Sequence, residues 1–218
     1  MQRDSLVHVA ATGGYGSVFE VQDGVCEVGL LDPTAEEYSL MVPQTALEEL
    51  DPATDADRRE LVGRLALLHL RVTRGLLARD GFELYVGRNE DDAFELWFAQ
   101  GLARTQRVAT LDADAAANLT EALLPLGLDA WEGGGAPCLD GWGWSLELVG
   151  AGMGQAAYGT APAACADADA GACEGLRDLV LRLPASVCPS SGVRTARTPR
   201  AGMGHSPHGR EGRAPLRD

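Results

Sequence analysis

Residues 54–81 read TDADRRELVGRLALLHLRVTRGLLARDG, and the rest of the chain is arranged around the pattern they carry. Thr54 stands as a helix N-cap with an acid, Asp57, three residues on. Leu61, Leu65, Leu68, Val72 and Leu76 then recur at helical spacing as far as Gly81. Leu67, Leu70 and Leu77 widen that stripe, so a helix here would be packed on more than one side. At about 1.5 Å per residue it would run about 38 Å, enough to cross a domain. The pattern predicts a long central helix.

Strands are expected on both sides of it. SLVHVAA (5–11), SVFEVQ (17–22) and VCEVGLL (25–31) are β-favouring runs separated by TGGYG and by the turn pair Asp23-Gly24, and EYSLMV (37–42) adds a fourth before Pro43. Residues 82–86 and 93–99 form a second hairpin across GRNEDDA, with 104–110 as a third strand. Asp112 or Asp114 opens a shorter helix ending at Gly127, and WEGGGAP (131–137) is a loop. Trp142, Trp144, Leu146 and Leu148 alternate with Gly143, Ser145, Glu147 and Val149, a period of two that puts both tryptophans on one sheet face. A strand near 155–159 and an amphipathic helix over 172–183, stopped by Pro184, complete the order. Strands in groups with helices between them imply an α+β class: antiparallel meanders packed on the central helix, with a C-terminal strand–strand–helix unit. Residues 1–187 are read as a single domain and 188–218, Arg-rich and nearly free of apolar residues, as a disordered tail.

Composition excludes several chemistries. The chain holds 18 Arg and Lys in total, all of them Arg, so a P-loop and Schiff-base catalysis are closed. No run of 18 apolar residues suggests a membrane span, and the N-terminus lacks the pattern of a secretory leader, so a cytoplasmic protein is expected. Five scattered cysteines without a paired motif read as small apolar side chains, and no metal or other cofactor is expected. Residues 1–187 carry 12 Arg against 30 Asp and Glu, a net charge of −18, while 188–218 carry +4. Such a body repels the phosphates of nucleic acid and favours a basic protein partner.

GGYGSVFEV (13–21) matches part of the glycine loop with which protein kinases cover nucleotide phosphates. Ala11 replaces the first glycine, and the following strand has no lysine to pair with the phosphates. A glycine-eased hairpin turn is the better reading. The nucleophile elbow G-x-S-x-G is absent. His8 and His69 sit in apolar runs and read as satisfied core or boundary residues. DADAGACE (167–174) lacks the distal acid of a calcium loop and reads as an acidic loop, and RNEDD (88–92) as a charged hairpin tip.

The aromatic residues Trp131, Trp142 and Trp144 lie beside a glycine-rich loop and are candidate interaction residues, with Trp142 and Trp144 alternatively in the core. At CLDGWGWSLEL the chain resembles a group of small, functionally uncharacterised bacterial proteins whose C-terminal part reads L-D-G-x-x-W, alternating apolar residues, Y-G, a proline and a short helix. Leu139, Asp140, Gly141, Trp144, Leu146, Leu148, Tyr158, Gly159 and Pro162 match, with Leu176, Leu179 and Leu183 for the helix. The resemblance implies an entry turn at Asp140, pairing of the Trp144 and Tyr158 strands, and a helix over their apolar face. It implies no activity. Asp140 and Tyr158 thereby join the tryptophans as candidate interaction residues. Together these features point to a non-catalytic protein-binding module, regulatory or immunity-like, that takes a basic partner. The competing expectation is a hydrolase working on a small molecule or glycan through paired carboxylates.

Overall fold

The computed structural model describes residues 1–54, 56–74, 81–89, 91, 93–124, 142–161 and 167–182. Contacts divide the chain into two units, Met1–Cys188 and Pro189–Asp218, and every described residue belongs to the first. The expected Arg-rich tail, Trp131 and Asp140 lie outside the described residues.

Strands β1 (Leu6–Val9), β2 (Gly14–Gln22), β3 (Val25–Leu30) and β4 (Ser39–Pro43) form an antiparallel meander. Asp23 and Gly24 both take positive φ, 51° and 77°, as a two-residue turn matched to strand twist requires. A single 310 turn, Gln44–Ala46, then leads to β5 (Leu47–Glu49), which pairs with β1 on the far side of the sheet. The order is β4-β3-β2-β1-β5. In a flat sheet the outer strands would stand about 19 Å apart. The link from Pro43 to Leu47 spans at most about 14 Å when fully extended, and less through a 310 turn. The sheet must therefore curl, and its concave side encloses Val7, Val9, Val18, Cys26, Val28 and Val42.

The chain passes directly into a second sheet through β6 (Asp51–Pro52) and then a short helix, α1 (Arg58–Gly63). β7 (Leu65–Arg74), β8 (Phe82–Arg88), β9 (Phe94–Gln100) and β10 (Gln106–Leu111) follow, then α2 (Ala113–Leu123), β11 (Trp142–Gly150), β12 (Met153–Ala161) and α3 (Asp167–Arg182). This sheet is ordered β10-β9-β8-β7-β11-β12-β6 and is antiparallel except for the β12–β6 edge. Its larger core lies on one face, where Leu68, Leu70, Val72, Leu84, Leu96, Leu146 and Leu148 meet Leu61 and Val62 of α1, Leu119 and Leu123 of α2, and Leu176 and Val180 of α3. Among the described residues no helix is long and apolar enough to cross a membrane.

The molecule is thus mostly β-sheet, and the expected α+β arrangement on a long central helix is wrong. Helix stops at Gly63 after six residues, and the Leu-rich remainder of the run is the central strand β7, hydrogen-bonded to β8 on one side and β11 on the other. Thr54 and Asp57 do interact through the Thr54 hydroxyl and amide, but Thr54 is not the cap: the helix is capped at Asp57, without a side-chain cap bond, and runs only about one and a half turns. Residues 167–174, expected as an acidic loop, are the first turns of α3.

Candidate functional site

Period two in β7 sends Leu68, Leu70 and Val72 into the helix-side core and leaves His69, Arg71 and Thr73 on the other face, toward the curled sheet. The neighbouring strands put polar residues in the same rows. One row runs Tyr158, Ser145, Arg71, Glu83 across β12, β11, β7 and β8, and the next runs Glu147, His69, Tyr85, Trp97 across β11, β7, β8 and β9. An apolar seam of Leu6, Leu31, Leu67 and Val149 joins the two sheets beside these rows.

His69 is buried and has both ring nitrogens committed. Nδ1 stands 2.9 Å from Glu147 Oε2 and Nε2 stands 3.0 Å from Glu83 Oε1. The Tyr85 hydroxyl donates to the same Glu83 oxygen at 3.0 Å, and its ring stacks on the imidazole with centroids 4.2 Å apart. Burial alone would lower the His69 pKa, but the charges and hydrogen bonds of Glu147 and Glu83 outweigh it and raise it to about 9. At neutral pH the ring is therefore an imidazolium donating to two carboxylates. Burial tends to raise the Glu83 pKa, yet His69, the Tyr85 hydroxyl and Arg71 hold it below the ordinary carboxylate range. Burial and the Glu83 charge push the Tyr85 phenol far above its ordinary value, so it remains a donor.

This network floors a cleft of about 530 Å³ between the sheets. Phe19, Gly29 and Tyr38 line it from the curled sheet, and Arg71, Ser145, Glu147 and Tyr158 from the other. Arg71 Nη1 donates to the Tyr38 hydroxyl across the gap at 2.9 Å. Tyr38 is 61% and Tyr158 54% exposed, which leaves an aromatic ring available on each wall. A second cavity of about 510 Å³ lies on the other side of Leu31 and Tyr85, which line both. There the glycine turn, with Gly13 at φ 70°, closes the β1–β2 hairpin opposite Glu95 and Trp97. A larger cavity of about 640 Å³ beside α2 is lined by its short side chains Ala113, Ala116, Ala117 and Thr120. Among the described residues no group of three or more His, Cys, Asp or Glu is arranged to hold a metal ion.

The sequence-derived candidates scatter. Tyr158 lies at the cleft. Trp144 does not: it is buried in the helix-side core, its indole so close to Gly159 that a Cβ there would stand 2.5 Å from Nε1. It is a packing residue and not a surface anchor. The Trp142 backbone begins β11, paired with Ala161 and Arg74. Sequence reasoning missed Glu83, Tyr85, Glu147, Arg71 and Tyr38. The available signal was a single polar residue between apolar ones on three strands: Glu83 between Phe82 and Leu84, His69 between Leu68 and Leu70, Glu147 between Leu146 and Leu148. No protein-family model matches this chain, and neither a curated protein nor a solved structure matches it.

Proposed function

We propose that this is a non-catalytic binding module that docks a basic protein partner at the cleft between its two sheets. The observation that carries the reading is the closed His69–Glu147–Glu83 network. A general base works best with a pKa near the operating pH and a free lone pair; His69 is protonated at neutral pH and donates through both nitrogens. Paired carboxylates that hydrolyse glycosides need the sugar or a water between them. Here the imidazole fills that space, which argues against the hydrolase reading. What the network supports is rigidity: three mutually satisfied groups hold β7, β8 and β11 in register beneath exposed tyrosines. Exposed aromatic rings over a stiff floor bury area on docking at small cost in side-chain entropy. The charge of the curled sheet supports a basic partner, since residues 1–52 hold ten Asp and Glu and one Arg.

The test is site-specific photo-crosslinking. A benzophenone amino acid replacing Tyr158 or Tyr38 is expected to trap a basic protein in cells of the source, and trapping is expected to weaken with salt. The same probe at Leu102, an exposed residue in the turn after β9, is expected to trap nothing. Trapping of only acidic proteins, or equal trapping from Leu102, would overturn the reading.

A further inference from the structure

We infer that the cleft continues as a groove over the outer face of β2, β3 and β4, and that the groove seats an extended peptide segment carrying basic and apolar side chains in alternation. This rests on the reading above, since it specifies the part of the partner that docks.

A cavity of about 520 Å³ on that face is lined by Gln2, Arg3, Phe19, Glu20, Val21 and Glu27, and it shares Arg3 and Phe19 with the inter-sheet cleft. The two hollows therefore adjoin at Arg3 and Phe19. Three features here cost the fold something and return nothing to its core. First, Phe19 slips out of the β2–β3 ladder: Val18 pairs with Val28, but Glu20 pairs with Glu27. Such a bulge re-aims one side chain at the expense of local pairing. Its ring lies over Gly29, where any Cβ would stand 2.2 Å from it, and stacks on Tyr38 with centroids 5.8 Å apart. Second, the slip places Glu20 directly across from Glu27, a like-charge cross-strand pair that destabilises a sheet. Third, Met41, the register partner of Glu27 on β4, is 67% exposed. Local rules broken together at one place mark a site under functional demand.

The chemistry of the occupant follows from the lining. Glu20 and Glu27 present two carboxylates flanked by Phe19, Met41 and Tyr38, so a cationic side chain is attracted and its apolar neighbours are covered. The facing cations are Arg3, which is ion-paired to Asp4 at 4.0 Å, and Arg71, which is held by Tyr38. A sheet face with side chains alternating in and out matches an extended segment, whose own side chains alternate with the same period.

The probe is a fluorescein-labelled nonapeptide of alternating Arg and Val, titrated with the full chain by fluorescence anisotropy, with alternating Gln and Val as control. The Arg peptide is expected to bind and the Gln peptide to bind at least about tenfold more weakly, with the difference shrinking as salt rises. The double substitution Glu20→Gln/Glu27→Gln is expected to weaken the Arg peptide about tenfold. The same double variant is expected to unfold at the same or a higher temperature, because a repulsive pair has been removed. No binding of the Arg peptide by the native chain, or affinity unchanged in the double variant, would overturn the groove. If the Tyr158 probe still traps a basic protein in that event, the cleft reading stands and only its extension falls.

Discussion

His69 is the group on which stability and pH meet. Its folded pKa, about 9, exceeds its ordinary 6.5, so the folded state binds the proton more tightly than the unfolded chain. The stabilisation is therefore full below about pH 6.5 and is lost as pH rises through about 9. Glu83 is displaced downward, so its contribution is present above its ordinary value of 4.5 and lost as pH falls below it. Stability should peak between these limits. Urea unfolding at a series of pH values is expected to show a decline from pH 6.5 toward pH 9 that disappears in His69→Gln. Removing the ring also leaves two largely buried carboxylates without their cation, which is expected to cost about 3–5 kcal/mol at pH 6.5. A flat pH profile for the native chain would show that His69 is not protonated in the fold.

Gly150 marks the place where α1, β7 and β11 meet. Helix α1 ends against the close of β11, and a Cβ on Gly150 would meet the carbonyl oxygens of Arg64 at 2.5 Å and Leu61 at 2.8 Å. These are backbone atoms, which cannot swing aside as a side-chain end can. The close approach lies where the chain turns from α1 into β7, and it coincides with a slip in the ladder where Val149 pairs with Leu67 but Gly150 pairs with Leu65. Gly150→Ala is expected to destabilise by about 1–3 kcal/mol or more, measured by chemical denaturation. Gly63→Ala, where nothing lies within 4 Å of an added Cβ, is expected to cost far less.

Charge is spread unevenly through the molecule. The curled sheet and its connections, residues 1–52, carry ten carboxylates against Arg3, and the chain as a whole has a net charge of −14. Self-repulsion of this kind weakens the compact state and is screened by ions. The melting temperature at pH 7 is therefore expected to rise as salt goes from about 10 to about 300 mM, the span over which the Debye length falls from about 30 Å to well under 10 Å. Binding of the Arg peptide is expected to fall over the same range. Opposite responses of stability and binding to one variable separate repulsion within the chain from attraction to a partner; a melting temperature that falls with salt would contradict the repulsion, and binding that rises with salt would contradict the attraction.

Local signals were enough for much of the architecture. Asp23-Gly24 marks a hairpin because few other pairs accept positive φ twice in succession. Asp112 starts α2 because its carboxylate accepts the Ala115 amide at 2.9 Å, a bond that needs no distant partner. The absence of lysine closed its chemistries from composition alone. The identity of 65–74 was not legible in this way. Leu61, Leu65, Leu68 and Val72 satisfy a helical period while Leu68, Leu70 and Val72 satisfy a strand period, and a Leu-rich run with few β-branched residues leans locally toward helix. Pairing with β8 and β11 decides it, and the His69–Glu147 contact joins residues 78 apart. The cleft depends on the same pairings, since no local rule brings Glu83, His69 and Glu147 to one spot. What the amino-acid order determined by itself were the Asp23-Gly24 turn, the aspartate that opens α2 and the reactions closed by the absence of lysine, because each is settled within a few residues or by composition alone. What only the tertiary structure decided were the central strand and the site built on it, because both exist through hydrogen bonds and charges supplied by distant parts of the chain.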